Sequence, residues 1–161
     1  MILIDTTGLW GLVFENSKFH KFIIKTLSNK TIYVLDVQIE ELFRIVYRAF
    51  SHKGENPTQG LRKVLEIVEF LEMREFKRKG INLKIMETTI KDHFSAMRLA
   101  EQENIFWRKG PKDTVWFEYV DAVIALKWME SRALLYTRDE ILIKFGTAHN
   151  LPYEIIKEAF T

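Results

Sequence analysis

The chain contains no cysteine. That excludes disulfides, thiolate catalysis and cysteine-ligated zinc or iron–sulfur centres. No apolar run approaches the ~18–20 residues that span a bilayer, so no membrane association is expected. Histidine is scarce: His20, His52, His93 and His149 are scattered without metal-ligand spacing, which points to packing or surface roles. Nucleophile elbow, phosphate-binding glycine loop and dinucleotide fingerprint are all missing. Neither sign of charge dominates, and a net charge of +2 neither demands nor forbids a nucleic-acid partner. No signal peptide is expected either, because the chain enters a strand-like "ILID" at once. The expectation is a cytoplasmic protein.

What is present is an ordinary globular composition, 47% apolar and 29% charged, in a length of 161 residues that suits one domain with a real core. "ILI" (2–4) reads as a buried strand ending at Asp5. Phe19, Phe22, Ile23 and Leu27 share a helical face over about 17–28. "TIYVLDV" (31–37) reads as a second strand. In the helix expected over 38–50, Ile39, Leu42, Phe43, Val46 and Phe50 recur at helical spacing.

"SHKGENPTQG" (51–60) has loop composition. The helix after it is expected to reach about Lys79, with Leu61, Val64, Leu65, Val68, Leu71 and Phe76 inward and Gly80 at its end. "INLKI" (81–85) alternates like a strand. Thr88 or Thr89 is placed to cap a helix with Ile90, Phe94 and Met97 facing the core. "RKGPKD" (108–113) breaks the chain, before a helix over about 117–131 and a strand over about 134–137. Alternating strands and helices predict an α/β fold with a mainly parallel sheet in a single domain, 1–161, with residues from about 51 to 110 forming a helical excursion.

The acids are the informative residues. Ligands of open parallel sheets bind beyond the carboxyl ends of the strands. Asp5 follows the first strand, and Asp139 stands just past "LLYT". An aspartate in that position also serves as a turn former or helix cap, so taken singly either reading is open. Asp121 is different, because Val120, Ala122, Val123, Ile124 and Ala125 surround it. A helix apolar on most sides is buried on most sides, and a buried carboxylate needs a partner or a function.

These stretches resemble the PIN-domain ribonuclease family. "ILIDTTGLWGL" resembles its opening strand and Asp-Thr motif, and "VQIEELFRI" its Glu-Leu pair. "VDAVIALKWMESRALLYTRDEIL" resembles its Asp-Ala-x-Ile-Ala helix, strand and Thr-x-Asp turn. The resemblance implies a three-layer α/β/α PIN-like fold and an acidic Mg²⁺ or Mn²⁺ site built from Asp5, Glu41, Asp121 and Asp139. It also implies metal-dependent RNA cleavage, a VapC-like toxin role, a protein antitoxin and a homodimer. The alternatives are a catalytically inactive PIN-fold module binding RNA or protein, or a non-toxin PIN nuclease of RNA processing.

Periodicity does not choose between Glu40 and Glu41; Glu41 directly precedes Leu42, as in the family's pair. Asp36 suits a helix N-cap. Thr6 and Thr137 are candidate hydroxyl contacts. Arg138, "REFKRK" (74–79) and "RKGPK" (108–112) are candidate phosphate contacts, and Trp107 or Trp116 a base-stacking ring.

Overall fold

A computed structural model of the chain describes residues 1–73 and 80–158. The order is β1 (Ile2–Ile4), α1 (Thr6–Val13), α2 (His20–Leu27), β2 (Thr31–Leu35), α3 (Asp36–Phe50), α4 (Pro57–Met73), β3 (Asn82–Met86), α5 (Ile90–Glu103), β4 (Trp107–Lys109), β5 (Val115–Phe117), α6 (Tyr119–Ser131), β6 (Leu134–Thr137), α7 (Glu140–Ala148) and β7 (Tyr153–Ile155). Five strands form one sheet in the order β3-β2-β1-β6-β7, parallel throughout. β4 and β5 form a separate antiparallel hairpin.

Side chains alternate across a strand, and that alternation divides the core in two. Leu3, Leu35 and Leu135 pack with α5, α6 and α7 on one face. Ile4, Ile32, Val34 and Tyr136 pack with α1 to α4 on the other. The result is the three-layer α/β/α PIN-like arrangement. α6 runs through the first layer almost wholly buried, from Val120 through Leu126 to Trp128, with Asp121 and Lys127 its partly exposed positions. The Trp128 indole donates to the Ala133 carbonyl at 2.8 Å. It also lies against Gly146, where any Cβ would run into the ring.

Several elements depart from the sequence pattern. α1 and α7 form where no helix is expected, each begun by an aspartate whose side chain accepts from the backbone of the first turn. β2 ends at Leu35, so Asp36 opens α3 and does not cap it. Pro57 to Gly60 belong to α4, where proline fits a first turn whose N–H groups lack helical partners. On α4 Ile67 is buried and the expected Val64 and Leu71 pack against the core, while Leu61 and Leu65 point out; on α5 Ala96 and Leu99 are buried and the expected Met97 packs against the core, while Ile90 and Phe94 point out. In each helix the apolar face is wider than the surface its neighbours cover, so residues at its margin stay outside. Phe76 lies outside the described residues. The break expected at 108–113 holds the end of β4 and most of the turn of the β4–β5 hairpin, and Phe117 belongs to β5.

Candidate acidic site at the sheet edge

Going from β1 the chain builds toward β3 on one side, and it later returns through β6 to β7 on the other. The border between β1 and β6 is therefore the topological switch point, where the carboxyl ends leave a crevice. Ile4 pairs with Tyr136, which sets Asp5, just past β1, beside Thr137, the last residue of β6. The Asp5 amide donates to the Tyr136 carbonyl at 3.1 Å.

Asp5 is 3% exposed. One carboxylate oxygen accepts from the Gly8 amide at 2.8 Å, capping α1, and the other from the Thr137 hydroxyl at 2.6 Å. Burial pushes its pKa from 3.8 up to about 6, opposed by those hydrogen bonds and assisted by the Asp139 charge. Asp139 caps α7, accepting from Ile141 at 2.9 Å and Leu142 at 3.3 Å. The Asp139 amide donates to the Thr137 hydroxyl at 3.0 Å, so Thr137 joins the two turns.

Glu41 reaches the same edge from α3. Gln38, one turn earlier and buried, donates to the Ile4 carbonyl at 2.9 Å and accepts from the Leu35 amide at 2.8 Å. That clamp ties the start of α3 to the end of β1. Burial raises the Glu41 pKa, with Glu118 and Asp139 adding to the rise. The buried Thr6 hydroxyl lies beside Glu41 without closing a hydrogen bond of ordinary geometry. The two line a hollow of about 310 Å³ with Thr7, Trp10 and Ile45. Glu40 is exposed and pairs with Arg44 at 3.4 Å, so geometry places Glu41, and not Glu40, among the acids.

Asp121 enters from the first turn of α6. Its pKa is raised well above 3.8, first by burial and then by Asp139, Glu118, Glu41 and Asp5. The four acids singled out by the sequence thus gather at one edge, from four different elements.

Two members were not foreseen as such. Glu118 immediately precedes α6 and lies three residues before Asp121, a spacing that puts both on one side of a helical turn. Arg108, expected on a phosphate, instead turns inward from β4. It pairs with Glu118 at 2.7 Å, lies 3.8 Å from Asp121, and forms a close ion pair with Asp139.

Five carboxylates and no sulfur or imidazole make a donor set whose chemistry suits a hard divalent cation. Crowded carboxylates that resist ionisation are what a cation would relieve. Among the described residues no three acidic or histidine side chains are drawn tightly enough to enclose a metal ion as they stand. The guanidinium of Arg108 supplies the positive charge present.

The remaining candidates lie elsewhere. Arg138 stands over the Phe19 ring, 4.7 Å from its centroid, and lies 3.8 Å from Glu158. Asp36 accepts from the Thr88 hydroxyl and amide, at 2.7 and 3.0 Å, and Thr89 caps α5. His20 contacts the Gly11 carbonyl, His93 bonds to Tyr119 and Thr88, and His149 to Glu103. "REFKRK" falls outside the described residues. Among the described residues no helix is long and apolar enough to cross a membrane.

No protein-family model matches the chain, and no curated protein matches its sequence. Solved structures do. A domain of a functionally unknown protein from Methanocaldococcus jannaschii is 16% identical, covering 99% of this chain and 93% of that one, with a TM-score of 0.48. FitAcB from Neisseria gonorrhoeae is 17% identical over 95% of this chain and 96% of that one, with a TM-score of 0.52. At such identity the likeness to FitAcB is one of fold: the chain has the PIN-like α/β/α sandwich, with its acids at that sandwich's switch point.

Proposed function

We propose that the protein is a metal-dependent endoribonuclease of the VapC-like kind, hydrolysing RNA phosphodiester bonds at the β1–β6 edge. One observation carries the reading: Asp5, Glu41, Asp121 and Asp139 converge there, and the pKa values of the first three are pushed up by burial and by neighbouring carboxylates. Such crowding is costly for a fold to maintain unless it serves chemistry. Those four acids would hold Mg²⁺ or Mn²⁺. When bound, the cation lowers the pKa of a water and offsets charge on the phosphate.

The chain's own residues supply the placement. Gly8 and Thr137 fix both oxygens of Asp5, and the first-turn amides of α7 fix Asp139. Gln38 fixes the helix that carries Glu41. Arg108, 43% exposed in the middle of β4, balances the acids and has room to turn toward a substrate phosphate. A protein antitoxin and a homodimer belong to this reading through the motif resemblance.

A second reading has a specific observation in its favour. Arg108 already neutralises part of the acidic pocket, as suits a catalytically silent PIN-fold module that binds RNA or protein. Incubating structured RNA with Mg²⁺ or Mn²⁺, with and without chelator, separates the two. Cleavage by the wild type, lost with chelator and in Asp5→Asn, is expected. Equal cleavage by both proteins, or indifference to chelation, would sink the metal-nuclease mechanism. Absence of cleavage together with no Mn²⁺ binding in calorimetry would favour the silent module.

A further inference from the structure

We propose that the β4–β5 hairpin is a nucleobase-stacking arm, with Trp116 as its main platform, that leads single-stranded RNA to the acidic edge. The inference rests on the RNA-cleaving reading and assigns the part of the chain that would grip the substrate.

Trp107, Trp116 and Phe117 are 44%, 61% and 51% exposed. Three large rings are left open within eleven residues, Trp116 on one face of the hairpin and Trp107 and Phe117 on the other, a density unlike the scattered apolar residues of an ordinary surface. None of the three is slack. The Trp107 indole donates to the Asn104 carbonyl at 3.0 Å. Phe117 meets Tyr119 edge-on, with ring centroids 6.2 Å apart and planes at 76°. Trp116 lies over the turn at Gly110, where a Cβ would overlap the indole nitrogen and stand 2.7 Å from its Cδ1. Only glycine leaves room for the ring there. A ring held in place while exposed gives up little freedom when something stacks on it.

Position and charge select the occupant. Arg108 pairs with Trp116 across the hairpin, and directly opposed residues project to the same face. Because Arg108 reaches Asp121 and Asp139 from that face, Trp116 stands on the side turned toward the acids. On the other face Trp107 lines a hollow of about 240 Å³ with Asn104, Glu140 and Lys144, next to the α7 terminus that carries Asp139. Between Trp107 and Phe117 the chain bears Arg108, Lys109 and Lys112 against Asp113 alone, a net charge of +2. Aromatic faces interleaved with cations suit a polyanion whose bases are free to stack. A duplex keeps its bases stacked on one another and offers no such faces.

The test is fluorescence anisotropy with a labelled octaribonucleotide and the matching duplex, in EDTA so that no strand is cut. The wild type is expected to bind the single strand at least tenfold more tightly than the duplex. Trp116→Ala should weaken single-strand binding about tenfold, and Trp116→Phe should recover most of the loss. Replacing Lys109 and Lys112 with alanine should lower the slope of log affinity against log salt by about 1.4, the single-strand value for two phosphates. Circular dichroism melts identify any variant that fails to fold, in which case Trp116→Phe, compared with Trp116→Leu, carries the test.

Equal single-strand affinity in wild type, Trp116→Ala and Trp116→Leu overturns the proposal, even if RNA is cleaved. Sedimentation that shows self-association lost in Trp116→Ala, with no RNA bound by the wild type, overturns it in favour of a protein interface. Hairpin-dependent binding without cleavage under any metal supports the arm and removes the nuclease reading instead.

Discussion

Asp5 and Asp139 occupy equivalent turns. Each follows a parallel strand, each caps the helix that comes next, and the strands before them are neighbours in register. Their surroundings differ. Asp5 lies under α1 with hydrogen bonds from Gly8 and Thr137 as its compensation, and its pKa rises to about 6. Asp139 stands at the rim, its side chain 21% exposed, with Arg108 against it. One local device thus yields a carboxyl that resists ionisation and a carboxylate held by a counter-ion. What packs over each turn sets its burial and its partners, since the turn itself is common to both.

The sharpest way to break the comparison is to remove the charge at Asp5 while keeping the shape. The folded-state pKa of Asp5 is raised, so stability present below pH 3.8 is lost as pH climbs through about 6. Asp5→Asn removes that loss, and its amide oxygen still accepts from Gly8. In EDTA at pH 8 the variant should be more stable than wild type by on the order of 3 kcal/mol, the two converging toward pH 4. Urea denaturation at both pH values checks this. A difference independent of pH would show that burial does not govern the Asp5 charge.

Thr137 is the next target, because its hydroxyl donates to Asp5 and accepts from the Asp139 amide. Thr137→Val leaves that amide without its partner and takes a favourable hydrogen bond from the buried carboxylate. The expected cost is about 2 kcal/mol at pH 8. Because the lost bond holds the Asp5 pKa down, the transition near pH 6 should move upward. If the cost appears without that movement, the threonine serves packing alone.

Arg108 tests the other half of the contrast. Its ion pairs are partly exposed, so Arg108→Met should lower apo-protein stability by no more than about 1 kcal/mol. If the guanidinium stands in for a cation, losing it should tighten Mn²⁺ binding, by about tenfold for a unit charge at this range. Isothermal titration calorimetry reads it directly. Unchanged or weaker Mn²⁺ binding would leave Arg108 as a surface pair and nothing more.

What the sequence could disclose follows from which signals are local. The PIN-like sandwich is legible because β1, β2 and β6 are short apolar runs, β3 alternates like a strand, α3 has a clear apolar face and α6 is apolar on most sides. Asp5, Asp121 and Asp139 are legible because each is a charge at the margin of such a run. α1 is not legible, because Gly8 and Gly11 weaken helical propensity and only the Asp5 cap and packing against Ile4, Phe19 and Ile23 compensate. Leu61 and Ile90 look inward by spacing and point outward by packing, since periodicity defines a stripe but not its partner. Arg108, read from the sequence as a phosphate contact, and Glu118, not singled out, take their place among the acids for a related reason: it arises from a hairpin that brings residue 108 to residue 139. Three residues from Asp121, on what proves to be one helical turn, Glu118 leaves the one faint signal.

The smallest stability effect, and the one that best isolates charge from structure, is expected from Asp139→Asn. The amide oxygen can still accept from Ile141 and Leu142, and asparagine caps helices about as well as aspartate, so stability should change by less than about 0.5 kcal/mol. The charge is gone nonetheless. After burial, Asp139 is the leading cause of the raised Asp121 pKa, so the Asp121 pKa should fall in the variant. It also contributes to the rise at Asp5, below the hydrogen bonds in weight, so the shift there should be smaller. Carboxyl-carbon NMR titration of the metal-free protein follows both. An Asp121 titration that stays in place would mean that the Asp139 charge does not reach it, and that burial and the other acids raise it.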